Sequence, residues 1–196
     1  MPHIDYVSLE EASAPIQEAI DCSAYAEQED RHLFYEMLAN APSIFPERVE
    51  YFRALMTGGV VEQREKELAY FTVAAVTDCQ YPASTHGRYL VEEFGMDERE
   101  IAAITRGAVD ELSEQDRRLV EFTASVIDDP AGLTATDYER LRESGFDNDA
   151  IIELLMLINA AHTATTLTHA LDIALADKGE RPPSYLSDDD WTVTEG

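Results

Sequence analysis

Apolar positions recur at helical spacing along almost the whole chain, and no stretch keeps the alternation expected of a strand. Residues 12–26 carry Pro15 near a helix start, with Ile16, Ala19 and Ile20 as the apolar face. Within residues 31–40, Leu33, Phe34, Met37 and Leu38 form one stripe. Asn40-Ala-Pro42 breaks that helix, and Pro46 opens another that buries Val49, Phe52, Leu55 and Met56 before stopping at Gly58-Gly59. The next helix runs from Glu62 to about Thr77. Between Leu68 and Val76 it is apolar on every side apart from Thr72, so it belongs at the centre of the fold. The chain turns at Asp78 and re-enters helix with Pro82 in the first turn, stopping at Gly95.

Three later starts carry paired capping residues: Asp97 with Glu100, Ser113 with Asp116, and Thr134 with Asp137. The second of these helices buries Leu119, Val120, Phe122, Val126 and Ile127 and ends at Asp128-Asp-Pro130, while Gly145 closes the third. Asp147 caps a last helix predicted to reach about Asp177, apolar on nearly every face from Ile151 to Leu175. Such a helix needs cover on several sides, and a second subunit is one source of it. The pattern gives an all-α fold in one domain over residues 1–181. Residues 182–196, with Pro182-Pro183 and Asp188 to Asp190, read as an acidic tail pinned by Trp191.

Charge changes this picture more than composition does. Forty Asp and Glu against 14 Lys and Arg give a net charge of -26, and only Lys66 and Lys178 are lysines. Such a surface repels nucleic acid and anionic membranes, so neither is expected as a partner. It fits a salt-adapted, halophilic cytoplasm. Two cysteines, Cys22 and Cys79, are too few for a disulfide scaffold and fit a reducing compartment. The N-terminus lacks the basic and apolar regions of a signal peptide. No uninterrupted apolar run reaches the roughly 18 residues of a membrane span. A cytoplasmic location is expected.

Candidate chemistry lies between Glu67 and His86. Cys79 sits just before a helix start, where free N–H groups and the dipole favour a thiolate and draw its pKa from about 8.5 toward 7. The plainer reading is an inert buried thiol. His86 follows seven residues later on the same face, roughly 10 Å along the axis. Position 82, one turn before His86, is the natural place for a thiol partner, and it is proline. The bend at Asp78 brings Glu67 back toward the level of His86. The alternatives are an exposed first-turn glutamate and a structural histidine. His162 and His169, seven apart on the last helix, cannot share one ion directly, and Asp188 to Asp190 lacks the glycine and glutamate of a calcium loop. No metal and no cofactor is expected.

The run R-E-K-E-L-A-Y-F-T-V-A-A-V-T-D-C-Q-Y-P-A-S-T-H-G resembles the core of the carboxymuconolactone decarboxylase / alkylhydroperoxidase D-like (AhpD-like) superfamily. That family's motif is a glutamate, eleven residues, then C-x-x-C-x-x-x-H. Glu67, Cys79 and His86 match it in register, and Pro82 stands where the second cysteine belongs. The resemblance covers roughly residues 46–178, leaving 1–45 as an N-terminal extension. It implies an AhpD-like helical bundle assembled as a homo-oligomer, a trimer or hexamer. In the family's peroxidase branch the second cysteine attacks peroxide, the first resolves it, and glutamate and histidine relay protons. With Pro82 that dithiol cycle cannot run between 79 and 82, and only Cys22 remains as another thiol.

Three functions follow. The first is a thiol oxidoreductase of alkylhydroperoxidase type acting on peroxide through Cys79 alone, with Glu67 and His86 moving protons. The second is a cofactor-free decarboxylase-like enzyme in which His86 and Glu67 are acid and base toward a small molecule. The third is a family member without activity.

Overall fold

In the computed structural model, residues 2–23 and 32–186 are described, and all of the regular structure among them is helical. The acidic residues Asp188 to Asp190 and Trp191 lie outside the described residues. The helices are α1 (Ala14–Asp21), α2 (Leu33–Leu38), α3 (Phe45–Thr57), α4 (Gln63–Val76), α5 (Gln80–Glu92), α6 (Glu98–Thr105), α7 (Glu114–Asp128), α8 (Ala135–Glu143) and α9 (Asn148–Ala170). Single 3-10 turns follow α6 and α9, and Ser184–Leu186 forms another.

The capping residues act as the sequence predicts. Asp97 and Glu100 close a reciprocal capping box on α6, Thr134 and Asp137 do so on α8, and Ser113 accepts from Asp116 N at the start of α7. Pro46 sits in the first turn of α3, where its missing N–H costs nothing.

α4 is the axis of the molecule. Leu68, Ala69, Phe71, Val73 and Ala74 are fully buried, because α5, α7 and α9 pack around it. α4 and α5 form a hairpin whose bend is Asp78, held at φ 53. The Cys79 N–H donates to Ala74 O at 2.8 Å and ends α4 there.

Two expectations are corrected. α9 stops at Ala170, not near Asp177. Asp172 takes a left-handed φ of 55 and Ile173 N donates to Thr168 O, which turns the chain out of the helix. Val126 and Ile127 are half-buried, not core. The helix Asn148–Ala170 is long and apolar enough to cross a membrane by length and composition, and half of that window is buried inside the fold.

One buried ion pair fixes α4 against α9. Lys66, 2% exposed, places Nζ 2.6 Å from Glu153 Oε1 and also donates to Gly58 O. Glu153 Oε2 accepts from Val60 N at 2.7 Å, so one carboxylate holds the α3–α4 corner and the lysine together. On the other side of α4, Arg64 grips both carboxylate oxygens of Asp116 on α7, at 2.6 and 2.8 Å. Burial raises the Asp116 pKa, but the Arg64 pair and the Ser113 hydroxyl outweigh it and leave the carboxyl below its ordinary value.

Candidate active site

The hairpin brings Glu67 and His86 together. Glu67 Oε2 lies 2.5 Å from His86 Nδ1, and the two residues are 2% and 4% exposed. Gln63, one turn before Glu67 and exposed, donates from Nε2 to Glu67 Oε1 at 3.2 Å. The imidazole also stacks on Tyr70, one turn after Glu67 on the same face of α4, at 3.7 Å and 20°. The ring is therefore fixed in plane by a tyrosine and in tautomer by a carboxylate. With Nδ1 engaged by Glu67, Nε2 is the ring nitrogen that the carboxylate does not hold.

His86 lines a cavity of ≈ 30 Å³ between α2, α3, α4, α5 and α9. Its walls include Phe34, Phe52, Tyr70 and Tyr81, with Arg48 on α3 and Tyr35 on α2 as polar members. One water needs about 10–15 Å³ on this scale, so the space holds two waters or a head group of similar size. Pro82 is part of the lining, where its ring adds an apolar surface.

Cys79 is placed differently. It is the residue before α5, as expected, but its side chain is 2% exposed and is not part of the cavity wall. Its Sγ lies 3.9 Å from Thr165 O on α9. Burial pushes the thiol up to about 12, and the Thr168 hydroxyl offsets only part of this. The expectation of a lowered pKa is corrected: desolvation outweighs the helix end. Cys22 is exposed and Cys79 buried, and both are free thiols.

Of the two histidines on α9, His169 has another use. His169 Nε2 lies 2.9 Å from Thr77 O, at the hairpin bend. Among the described residues no group of three or more His, Cys, Asp or Glu is arranged to hold a metal ion.

Sequence reasoning missed Arg48, Tyr35, Tyr70 and Gln63. The last two were within reach, since 63, 67 and 70 share one face of a helix; Arg48 and Tyr35 come from other elements and give no local signal.

Residues 42–110 match the carboxymuconolactone decarboxylase family model. The matched segment spans α3 to α6 and includes Glu67, Cys79 and His86. A peroxidase-related protein from Ralstonia eutropha JMP134, described as an alkylhydroperoxidase AhpD core, is similar over 97% of this chain and 94% of its own, with a TM-score of 0.76 and 18% identity. A peroxidase-related protein from Silicibacter sp. TM1040 is similar over 88% of this chain and 91% of its own, with a TM-score of 0.77 and 16% identity. The debrominase Bmp8, as a cysteine-to-alanine variant in complex with 2,3,4-tribromopyrrole, is similar over 94% of this chain and 95% of its own, with a TM-score of 0.69 and 14% identity. At these identities the likeness is one of AhpD-like fold. No curated protein matches the sequence.

Proposed function

We propose that this protein is a cofactor-free acid–base enzyme that moves a proton on a small organic molecule, with His86 as proton carrier and Glu67 as its orienting carboxylate. The observation that carries this reading is the 2.5 Å pair of Glu67 and His86 on the wall of an aromatic-lined cavity. His86 Nε2 takes a proton from a carbon next to a carbonyl, and the electron pair moves onto the carbonyl oxygen as an enolate. Glu67 stabilises the imidazolium formed, and the proton returns to the same or a neighbouring atom. In a decarboxylation on the same machinery the bond from carbon to the carboxylate breaks, carbon dioxide leaves, the bonding pair stays on the substrate as an enolate, and protonated His86 gives its Nε2 proton to the carbon.

Single-cysteine peroxide chemistry has less support. The nucleophile in such a step is the thiolate, and the Cys79 thiol is buried, pushed up to about 12 and not among the residues that line the cavity. The test is hydrogen–deuterium exchange at carbon in small keto acids and lactones, followed by NMR in D2O. Exchange catalysed by the wild type, abolished in His86→Gln, reduced in Glu67→Gln and retained in Cys79→Ser is the expected result. Peroxide turnover that Cys79→Ser abolishes overturns it in favour of the thiol.

We further infer a homo-oligomer. Val60, Ile152 and Met156, 61%, 58% and 44% exposed, give the α3–α4 corner and the outer side of α9 an apolar surface. Light scattering at working concentration reads the assembly, and a monomer mass rejects it.

A further inference from the structure

Two polar groups on the cavity wall have no role in the acid–base pair. Arg48 is half-buried on α3, its Cζ 5.5 Å from the centre of the Phe52 ring. Its Nη2 donates to Ala160 O at 3.4 Å, and among the described residues no carboxylate pairs with it. In a chain of net charge -26, carboxylates are abundant, so a cation kept for a cavity is unexpected. Tyr35, on α2, is the second group. It is 4% exposed, and its hydroxyl is buried with no hydrogen-bond partner. A buried hydroxyl left unmatched is destabilising unless something else occupies its donor site.

These groups share an environment. Burial pushes the Tyr35 hydroxyl up to about 12, and the charge of Arg48 acts on it in the opposite sense, so at neutral pH it is a donor beside a cation. Tyr35 also meets Phe45 edge-on at 5.9 Å and stacks on His32 at 4.2 Å, which hold its ring in place. The guanidinium only donates, and the hydroxyl keeps a proton to donate, so together they suit an oxygen anion. The ≈ 30 Å³ of the cavity admits a carboxylate head group and little more, which leaves the rest of a larger acid toward solvent.

We propose that Arg48 and Tyr35 form an anion receptor that seats the carboxylate of a small organic acid beside His86. The two are positioning residues: they hold the substrate's charged group so that an adjacent carbon meets the imidazole. The aromatic walls of Phe34 and Phe52 flank the carboxylate and the carbon next to it. This inference deepens the acid–base reading of the same cavity.

The experiment is a binding titration with acetate and with its neutral isostere acetamide, by ligand-observed NMR at constant ionic strength. Wild-type protein is expected to bind acetate saturably and in preference to acetamide. Arg48→Gln weakens acetate about tenfold. Tyr35→Phe weakens it about threefold to fivefold. Acetamide changes little with either. Arg48→Lys, which keeps the charge, restores part of the acetate preference, and a merely structural role for Arg48 gives no such rescue. Thermal unfolding of each variant confirms that the protein compared is folded. No saturable acetate binding by wild type, or equal preference in wild type and Arg48→Gln, overturns the proposal. Binding is read without turnover, so its loss leaves the proton-transfer reading standing, and failed deuterium exchange leaves the receptor standing.

Discussion

Alkylation of Cys79 separates thiol chemistry from acid–base chemistry more directly than any substrate screen. At pH 8, a thiol whose pKa is about 12 is about 10⁻⁴ thiolate. An unperturbed thiol near 8.5 is about one quarter thiolate at the same pH, so protonation alone lowers the reactive fraction about 2 × 10³-fold. A more basic thiolate is intrinsically the better nucleophile, and a Brønsted slope of about 0.4–0.5 returns about 25- to 55-fold. The net deficit is about 40- to 100-fold before access is counted. Burial to 2% exposure adds to this, since iodoacetamide reaches the sulfur only when α9 and the hairpin bend separate. Exposed Cys22 serves as the internal standard for reagent and mixing. The assay is iodoacetamide labelling at pH 8, quenched over time and read per cysteine by peptide mass spectrometry, in buffer and in urea. Cys79 is expected to label at least about a hundredfold more slowly than an unperturbed thiol in buffer and at the speed of Cys22 in urea. Native labelling of Cys79 within a few-fold of Cys22 refutes the argument and returns the thiol to the centre of the mechanism.

Three further outcomes are expected. Between about pH 8.5 and 12 the unfolded chain gives up the Cys79 proton while the folded chain keeps it, so stability falls as pH rises; wild type loses about 1.4 kcal/mol per pH unit more than Cys79→Ala in urea titrations, and no difference in slope appears below about pH 8. Lys66→Met leaves Glu153 without its buried cation and costs about 3–5 kcal/mol; with Glu153→Gln the double-mutant cycle shows a coupling of more than about 1 kcal/mol, and additivity contradicts the pair. Gly59, at φ 82, has room for no Cβ, since one would lie 2.1 Å from Glu153 Oε2; Gly59→Ala therefore costs about 2 kcal/mol or more, against about 1 kcal/mol for Gly95→Ala, where nothing lies within 4 Å.

Much of the fold is legible in the chain because its signals are local. Asp97, Ser113 and Thr134 start their helices with partners three residues on, a distance that periodic reading covers. The end of α9 is not legible, because an aspartate, Asp172, takes the left-handed turn that glycine usually announces. The burial of Lys66 is hidden for a related reason: its partner, Glu153, lies on a helix far along the chain, and lysine by itself speaks for the surface. The pairing of Glu67 with His86 follows from a bend at Asp78 and two helices of known rise. The character of Cys79 does not, since the helix end and the low-polarity surroundings act in opposite directions and only packing decides between them. Arg48 and Tyr35 meet the cavity from α3 and α2, so neither spacing nor motif connects them to His86.

The lysine and the glutamate at positions 66 and 67 are chain neighbours with separate duties. Lys66 bolts one helix to another and to the corner before it, which sets how far along its axis that helix sits. Glu67 inherits its height from that bolt. A substitution at Glu153, on a different helix and outside the cavity, is thus also a change in where the Glu67 carboxylate stands relative to its imidazole.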